Sequence, residues 1–151
     1  MSPMDAALSF LTSRMRTVRE VEEKLDDLQY GEGDILATVE RLKELNLLND
    51  AEYAREFVRS RLATKPVSRQ KLYLDLRAHK LPEEVIEEAL NELPKETEGD
   101  NAREVAKKFW RQMSGLEEPV RRERVLRRLM SRGFSTEASL AAIREAAEEE
   151  D

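Results

Sequence analysis

The chain has 151 residues, 40% of them apolar, 38% charged and 5% aromatic, with 5 Gly, 5 Pro and no Cys. Abundant Leu, Ala, Glu and Arg with few breakers is a helical composition, and the missing cysteine excludes a disulfide framework or a thiolate metal site. No apolar run reaches the roughly 18 residues of a membrane span, and Met1-Ser2-Pro3-Met4 does not open a signal peptide, so a cytoplasmic protein is expected; the net charge of −6 disfavours a generally basic nucleic-acid binder.

The periodicity is helical almost throughout. Ala7, Leu8 and Leu11 predict a first helix over 4–14. Thr17 and Glu20 form a capping box opening a second helix, with Val21, Leu25 and Leu28 inward. Gly31 to Asp34 breaks it, and Ile35, Val39 and Leu42 stripe a third. Asn49 caps a fourth helix carrying Tyr53, Ala54, Phe57, Val58 and Leu62, and Lys65-Pro66 ends it. Leu72, Tyr73 and Leu76 mark a fifth. Pro82 starts a sixth, with Val85, Ile86, Leu90 and Leu93 inward. Residues 95–101 read as linker-like. A seventh helix carries Val105, Phe109, Trp110 and Met113, and an eighth Val125, Leu126, Leu129 and Met130, with Gly133 as its C-terminal cap. Ser135 caps a ninth with Ala138, Ala142 and Ile143 inward, and 148–151 reads as a frayed acidic tail.

Sliding residues 20–42 forward by 51 lays Val21 on Leu72, Leu25 on Leu76, Ile35 on Ile86, Val39 on Leu90 and Leu42 on Leu93. A further slide of 53 lays Leu72 on Val125, Leu76 on Leu129, Leu81 on Phe134 and Leu90 on Ile143. A period of about 50 residues predicts an all-α chain of three tandem three-helix repeats, at 1–48, 49–94 and 102–147, stacked into an elongated, curved array of unassigned handedness.

Charge alternates along the chain. Residues 1–54 carry net −6, 55–80 net +6, 82–100 net −7, 101–134 net +6 and 135–151 net −5. Salt-bridged helices of a soluble bundle account for this pattern, as does a basic patch for an anionic partner. On the eighth helix Arg121, Arg124, Arg127, Arg128 and Arg132 fill one arc of about 140°, with Val125, Leu126, Leu129 and Met130 on much of the other side. Guanidinium forks suit phosphates and carboxylates alike; the alternative is a solvated face paired with glutamates. A second, looser group is Arg55, Arg59, Arg69 and Lys71. Arg69 is in phase with Leu72 and Leu76, which also suits a partly buried partner for an acid such as Asp50.

Enzyme chemistry finds no purchase. His79 is the only histidine, so it has no second histidine for a metal, and its place at a helix end suits a capping or surface role. No serine has a triad context, no Gly-rich phosphate loop occurs, and no cofactor or metal is expected. Glu83-Glu84 and Glu87-Glu88 read as first-turn and solvated charges. Trp110, Tyr53 and Phe57 read as core rather than base-stacking groups.

The segment Leu47-Leu48-Asn49-Asp50-Ala51-Glu52-Tyr53-Ala54-Arg55-Glu56-Phe57-Val58-Arg59-Ser60-Arg61 resembles the central signature of the RecX family. Ser68-Arg69, Leu72, Asp75-Leu76 and Leu81 fit that family's second repeat, and Leu129 with Arg132-Gly133-Phe134-Ser135 its third. Leu8, Leu11, Arg14, Arg16, Glu20-Val21 and Leu25 match its opening. The similarity spans about residues 6–145. Two positions depart from it: Ser68 stands where Gly is usual, and His79-Lys80 where Lys-Gly is usual. The repeat alignment and the lack of ligand clusters predict a monomer, and the resemblance implies a non-enzymatic regulator. Such a protein binds the bacterial recombinase RecA in the groove of its filament on DNA and restrains its ATPase, strand-exchange and co-protease activities, in homologous recombination, DNA repair and the SOS response. A helical or architectural protein acting directly on DNA, with weak single- or double-strand contacts, and a generic helical scaffold remain as alternatives.

Overall fold

Side-chain caps set where the helices start. Ser2 and Asp5 exchange backbone and side-chain hydrogen bonds around Pro3, and Thr17 and Glu20 do the same one helix later, satisfying amides that the first turn leaves without partners. Asn49 accepts from the Glu52 amide at 3.0 Å and Ser135 from the Ala138 amide at 3.1 Å. The computed structural model describes residues 1–94 and 96–150. Among them lie nine helices and no strand: α1 (Pro3–Leu11), α2 (Val18–Asp27), α3 (Glu32–Glu44), α4 (Asp50–Thr64), α5 (Arg69–Ala78), α6 (Glu83–Asn91), α7 (Glu96–Gln112), α8 (Glu118–Ser131) and α9 (Thr136–Glu150).

The apolar frame of the repeat is the frame of the core. Val21, Leu72 and Val125 are fully buried, as are Leu25, Leu76 and Leu129; Val39, Leu90 and Ile143 are nearly so. The breaks between helices repeat too. Gln29 (φ 68°), Lys80 (φ 64°) and Gly133 (φ 90°) are left-handed residues at the same place in the three repeats. Only the third is glycine; the other two adopt a conformation that costs side-chain-bearing residues energy.

The chain divides into two units. The first comprises Met1–Phe57 and Asp75–Ala89. Its core gathers Ala7, Val21, Leu25, Val39, Leu42 and Leu48. The second comprises Val58–Leu74 and everything from Leu90 on. Its core gathers Val105, Trp110, Val125, Leu129, Phe134 and Ile143.

A joint recurs in both units. In the first, the buried Thr17 hydroxyl that caps α2 donates to the His79 carbonyl at 2.9 Å, just beyond α5. In the second, the equivalent residue Ser68, buried ahead of α5, donates its amide to the Arg132 carbonyl at 3.3 Å, just beyond α8. The cap of one middle helix thus meets the turn that ends the next. Gly133 allows this second joint. A Cβ there would collide with the Ser68 hydroxyl and sit 3.1 Å from the Lys71 Cβ and 3.2 Å from its amide.

Several expectations are corrected. α1 ends at Leu11, and Leu8 is exposed. Leu28 is exposed because it closes α2 just before the left-handed Gln29, at the position of the joint carbonyls of His79 and Arg132. The linker-like stretch is helical from Glu96 onward. Glu98 accepts from the Arg69 amide and Asn101 donates to the Val67 carbonyl, so polar residues here hold a junction; Lys95 lies outside the described residues. The acidic end is not frayed either. Glu148 to Glu150 belong to α9, where Glu149 meets Lys107 at 2.9 Å and Glu150 meets Arg121 at 2.9 Å. Asp151 lies outside the described residues.

Candidate partner interface

α8 opens at Pro119 with Glu118 in its first turn and buries Val125 and Leu129. Its arginines separate into three kinds. Arg121 is 8% exposed, against the expectation that the whole arc faces solvent. It donates from Nε to the Trp110 carbonyl at 2.9 Å and from Nη1 to Glu150 at 2.9 Å. The physical reason lies in the wheel: at 3.6 residues per turn Arg121 lies within about 40° of Val125, at the edge of the buried face. Met130, placed inward by the same reading, lies on the far side and is exposed. Arg127 is exposed but neutralised, pairing with Glu123 at 2.7 Å one turn back, as Arg122 does with Glu118 at 2.8 Å.

Arg124, Arg128 and Arg132 form the third kind. Arg124 and Arg128 are exposed and Arg132 is half-buried, and no carboxylate among the described residues pairs with any of them. The guanidinium carbons of Arg128 and Arg132 lie 5.3 and 5.1 Å from the Phe109 ring centroid, within cation–π reach. Burial, and then the charge of Arg128, hold the Arg132 guanidinium below its ordinary pKa. Lys108 of α7, 5.5 Å from the same ring, adds a cation that the stripe on α8 did not include; its only sequence signal is its place in the basic segment 101–134.

The second basic group is dispersed. Arg55 and Arg59 are exposed on α4. Arg69 does not pair with Asp50. Its guanidinium caps the end of α6, donating to the Leu90 carbonyl and to Asn91, each at 2.7 Å. Asp50 instead accepts from the Val18 amide at 2.9 Å, and burial raises its pKa. Lys71 is brought to the α8 end, since Ser68 caps its amide at 3.0 Å and the same Ser68 holds Arg132. Of the nine basic residues singled out in sequence, the structure therefore gathers Lys71, Arg128 and Arg132 at one place, with Arg124 one turn farther along α8.

Other groups are engaged in structure. Tyr53 is buried, and its hydroxyl lies 3.1 Å from His79 Nδ1, which also faces Glu20 at 3.3 Å. Burial, and then Glu20, raise the Tyr53 pKa. His79 thus works as a half-buried tie rather than as a cap of its own helix. Trp110 is core, its indole N–H donating to Glu150 at 2.7 Å. No group of three or more His, Asp or Glu side chains among the described residues is placed to hold a metal. A cleft of about 370 Å³ lined by Arg69, Asn91 and Glu98 carries polar groups already bonded to one another or to backbone. The arrangement offers charge-based binding of an anion.

Tandem three-helix modules, with an arginine row on the last that no carboxylate among the described residues pairs with, define a helical-repeat protein. Models of the first, second and third three-helix domains of RecX match residues 4–42, 49–90 and 96–143 in chain order. The chain is 33% identical over 136 residues to the regulatory protein RecX of Prosthecochloris aestuarii, covering 89% of this chain and 86% of that protein. Against the regulatory protein RecX of Streptomyces coelicolor it is 30% identical over 143 residues, covering 95% and 76%. The crystal structure of RecX from Lactobacillus salivarius superposes with a TM-score of 0.84 at 26% identity, covering 96% of this chain and 94% of that one. The chain belongs to the RecX family, whose named relatives are regulatory proteins. No helix among the described residues is long and apolar enough to cross a membrane.

Proposed function

We propose that this chain is a non-enzymatic regulator that binds the RecA recombinase on DNA and restrains the filament's ATPase, strand exchange and co-protease activity. The observation that carries this reading is likeness through all three modules, in order and over nearly the full length of a named regulator. The regulator acts as a cytoplasmic monomer without a cofactor, its three modules lying within 1–48, 49–94 and 102–147. The row Arg124, Arg128 and Arg132, with Lys71, is its anionic contact, and Arg55 and Arg59 are a second candidate contact. Charge-based docking suits a regulator, because it steers association to a charged filament and leaves the partner's chemistry to the partner.

Co-sedimentation with RecA filaments assembled on single-stranded DNA tests the proposal. The chain is expected in the pellet with filaments and in the supernatant with either component's buffer alone. A second reading, a helical protein acting directly on DNA, draws on the same arginine row. Tight, sequence-specific duplex binding at physiological salt in the absence of RecA favours it over the first.

A further inference from the structure

One helix carries arginines of two opposite designs. Arg122 and Arg127 each have a glutamate four residues earlier that neutralises them. Arg124, Arg128 and Arg132, also spaced by four, have no acid among the described residues. An i, i+4 spacing stacks side chains along one strip of the helix, about 6 Å apart, so the row spans about 12 Å. The guanidinium carbons of Arg128 and Arg132 both lie within cation–π reach of the Phe109 ring, which gathers two of the three charges at one place. The Ser68–Arg132 joint brings the start of α5, with Lys71, against the end of the row.

Like charges held together without a counter-charge oppose one another; burial, and then the charge of Arg128, lower the Arg132 pKa. A ligand that relieves this repulsion must bring several negative charges spaced along a line. A carboxylate on a protein surface supplies one charge at one point, whereas a nucleic-acid backbone repeats a phosphate at every step and matches the fork of each guanidinium. From this geometry we infer that Arg124, Arg128 and Arg132 form a phosphodiester-binding row that grips the DNA of the filament rather than the protein coat. This assignment rests on the proposed filament-binding function and specifies which component of the filament the row touches.

Salt dependence reads the inference directly, because each neutralised phosphate contributes about 0.7 to the log–log slope on a single strand and about 0.9 on duplex. Labelled single-stranded and duplex oligonucleotides are titrated by fluorescence anisotropy across a salt series, without RecA. The triple variant Arg124→Gln, Arg128→Gln, Arg132→Gln is expected to flatten the slope by about 2 on single strands, or about 2.7 on duplex, whichever form the row grips. The double variant Arg124→Gln, Arg128→Gln, both at exposed positions, is expected to flatten it by about 1.4 on single strands. A charge-matched control, Arg111→Gln, Arg122→Gln, Arg144→Gln, is expected to change the slope by less than half as much as the triple. Circular dichroism and thermal unfolding verify that each variant is folded. An unchanged slope in the folded double variant overturns the inference. Equal flattening by the control also overturns it, since general charge would then explain the effect. If the slope is unchanged while co-sedimentation with filaments is lost, the row contacts RecA itself, so the inference fails and the proposed function stands. If the wild-type chain fails to join the filaments, the function fails separately, whatever the slopes show.

Discussion

The Arg121 guanidinium lies 3.8 Å above the Trp110 ring and donates to that same residue's backbone carbonyl. In the repeat frame Arg121 occupies the place of Thr17 and Ser68, the two residues that join one middle helix to the next. Here Arg121 instead folds back on its own module and fastens the end of α9 through Glu150. Arg121→Ala therefore removes a structural clamp. Hydrogen bonds from charged groups are worth about 1.5–3 kcal/mol, and the Trp110 carbonyl loses its donor, so a loss of about 2–3 kcal/mol in denaturant unfolding is expected. Its measurement is a urea melt of wild type and variant.

Glu150 gives the same clamp a pH dependence. Its hydrogen bond from Arg121, and then that from Trp110, hold the carboxyl below its ordinary value of 4.5. A carboxyl with a depressed folded-state pKa contributes stability above its unfolded pKa and loses it as pH falls through the folded one. Wild type is therefore expected to exceed Glu150→Gln in melting temperature at neutral pH, and the two melting curves are expected to converge below about pH 4.5. A difference that persists unchanged at pH 3 contradicts this role.

Gly133→Ala probes the joint. The substituted residue would have to hold φ 90° and press a methyl onto Ser68 and Lys71. Left-handed strain for a residue with a side chain costs about 1–2 kcal/mol, and the collision adds to it. Adding Ser68→Gly is expected to restore only part of the loss, because the Lys71 contacts and the backbone strain remain. Thermal unfolding of the single and double variants measures both. Full recovery in the double variant would mean that the hydroxyl contact alone makes glycine necessary.

Much of this architecture can be read from the chain, and what cannot has a physical pattern. Val21, Leu72 and Val125 announce the core because helical periodicity is local and burial follows it. The caps at Thr17, Asn49 and Ser135 are equally local, each completed within three residues. Arg121 escapes because a helical wheel gives an angle, not a partner, and its acid lies 29 residues away. The segment after Lys95 looks like a linker because its polar side chains serve Arg69 and Val67, about thirty residues earlier. Lys80 takes a left-handed turn without the glycine that would signal it. At the candidate interface the stripe itself was evident, but its division into clamped, neutralised and unpaired arginines depends on tertiary neighbours and on Glu118 and Glu123.

Reversing Arg124 and Arg128 to Glu separates interface from scaffold. Both are exposed, so Arg124→Glu is expected to shift stability by less than about 0.5 kcal/mol, and Arg128→Glu by up to about 1 kcal/mol because it also loses its approach to the Phe109 ring. Replacing attraction with repulsion at an anionic contact costs several kcal/mol, a loss of about a hundredfold or more in filament affinity. Glu148→Lys serves as the control for altered charge and is expected to change little. Glu149 does not, because it is paired with Lys107. Unchanged unfolding together with unchanged filament binding in the double reversal would make the row a solvated face and shift the search to Arg55 and Arg59.

The most direct test of the central claim is the ATPase rate of RecA on single-stranded DNA, measured with increasing amounts of this chain. The rate is expected to fall at micromolar concentrations of wild type and to stay close to its unregulated level with the Arg124→Glu, Arg128→Glu variant. A rate that wild type leaves unchanged across that range would contradict the assignment of this chain as a regulator of the RecA filament.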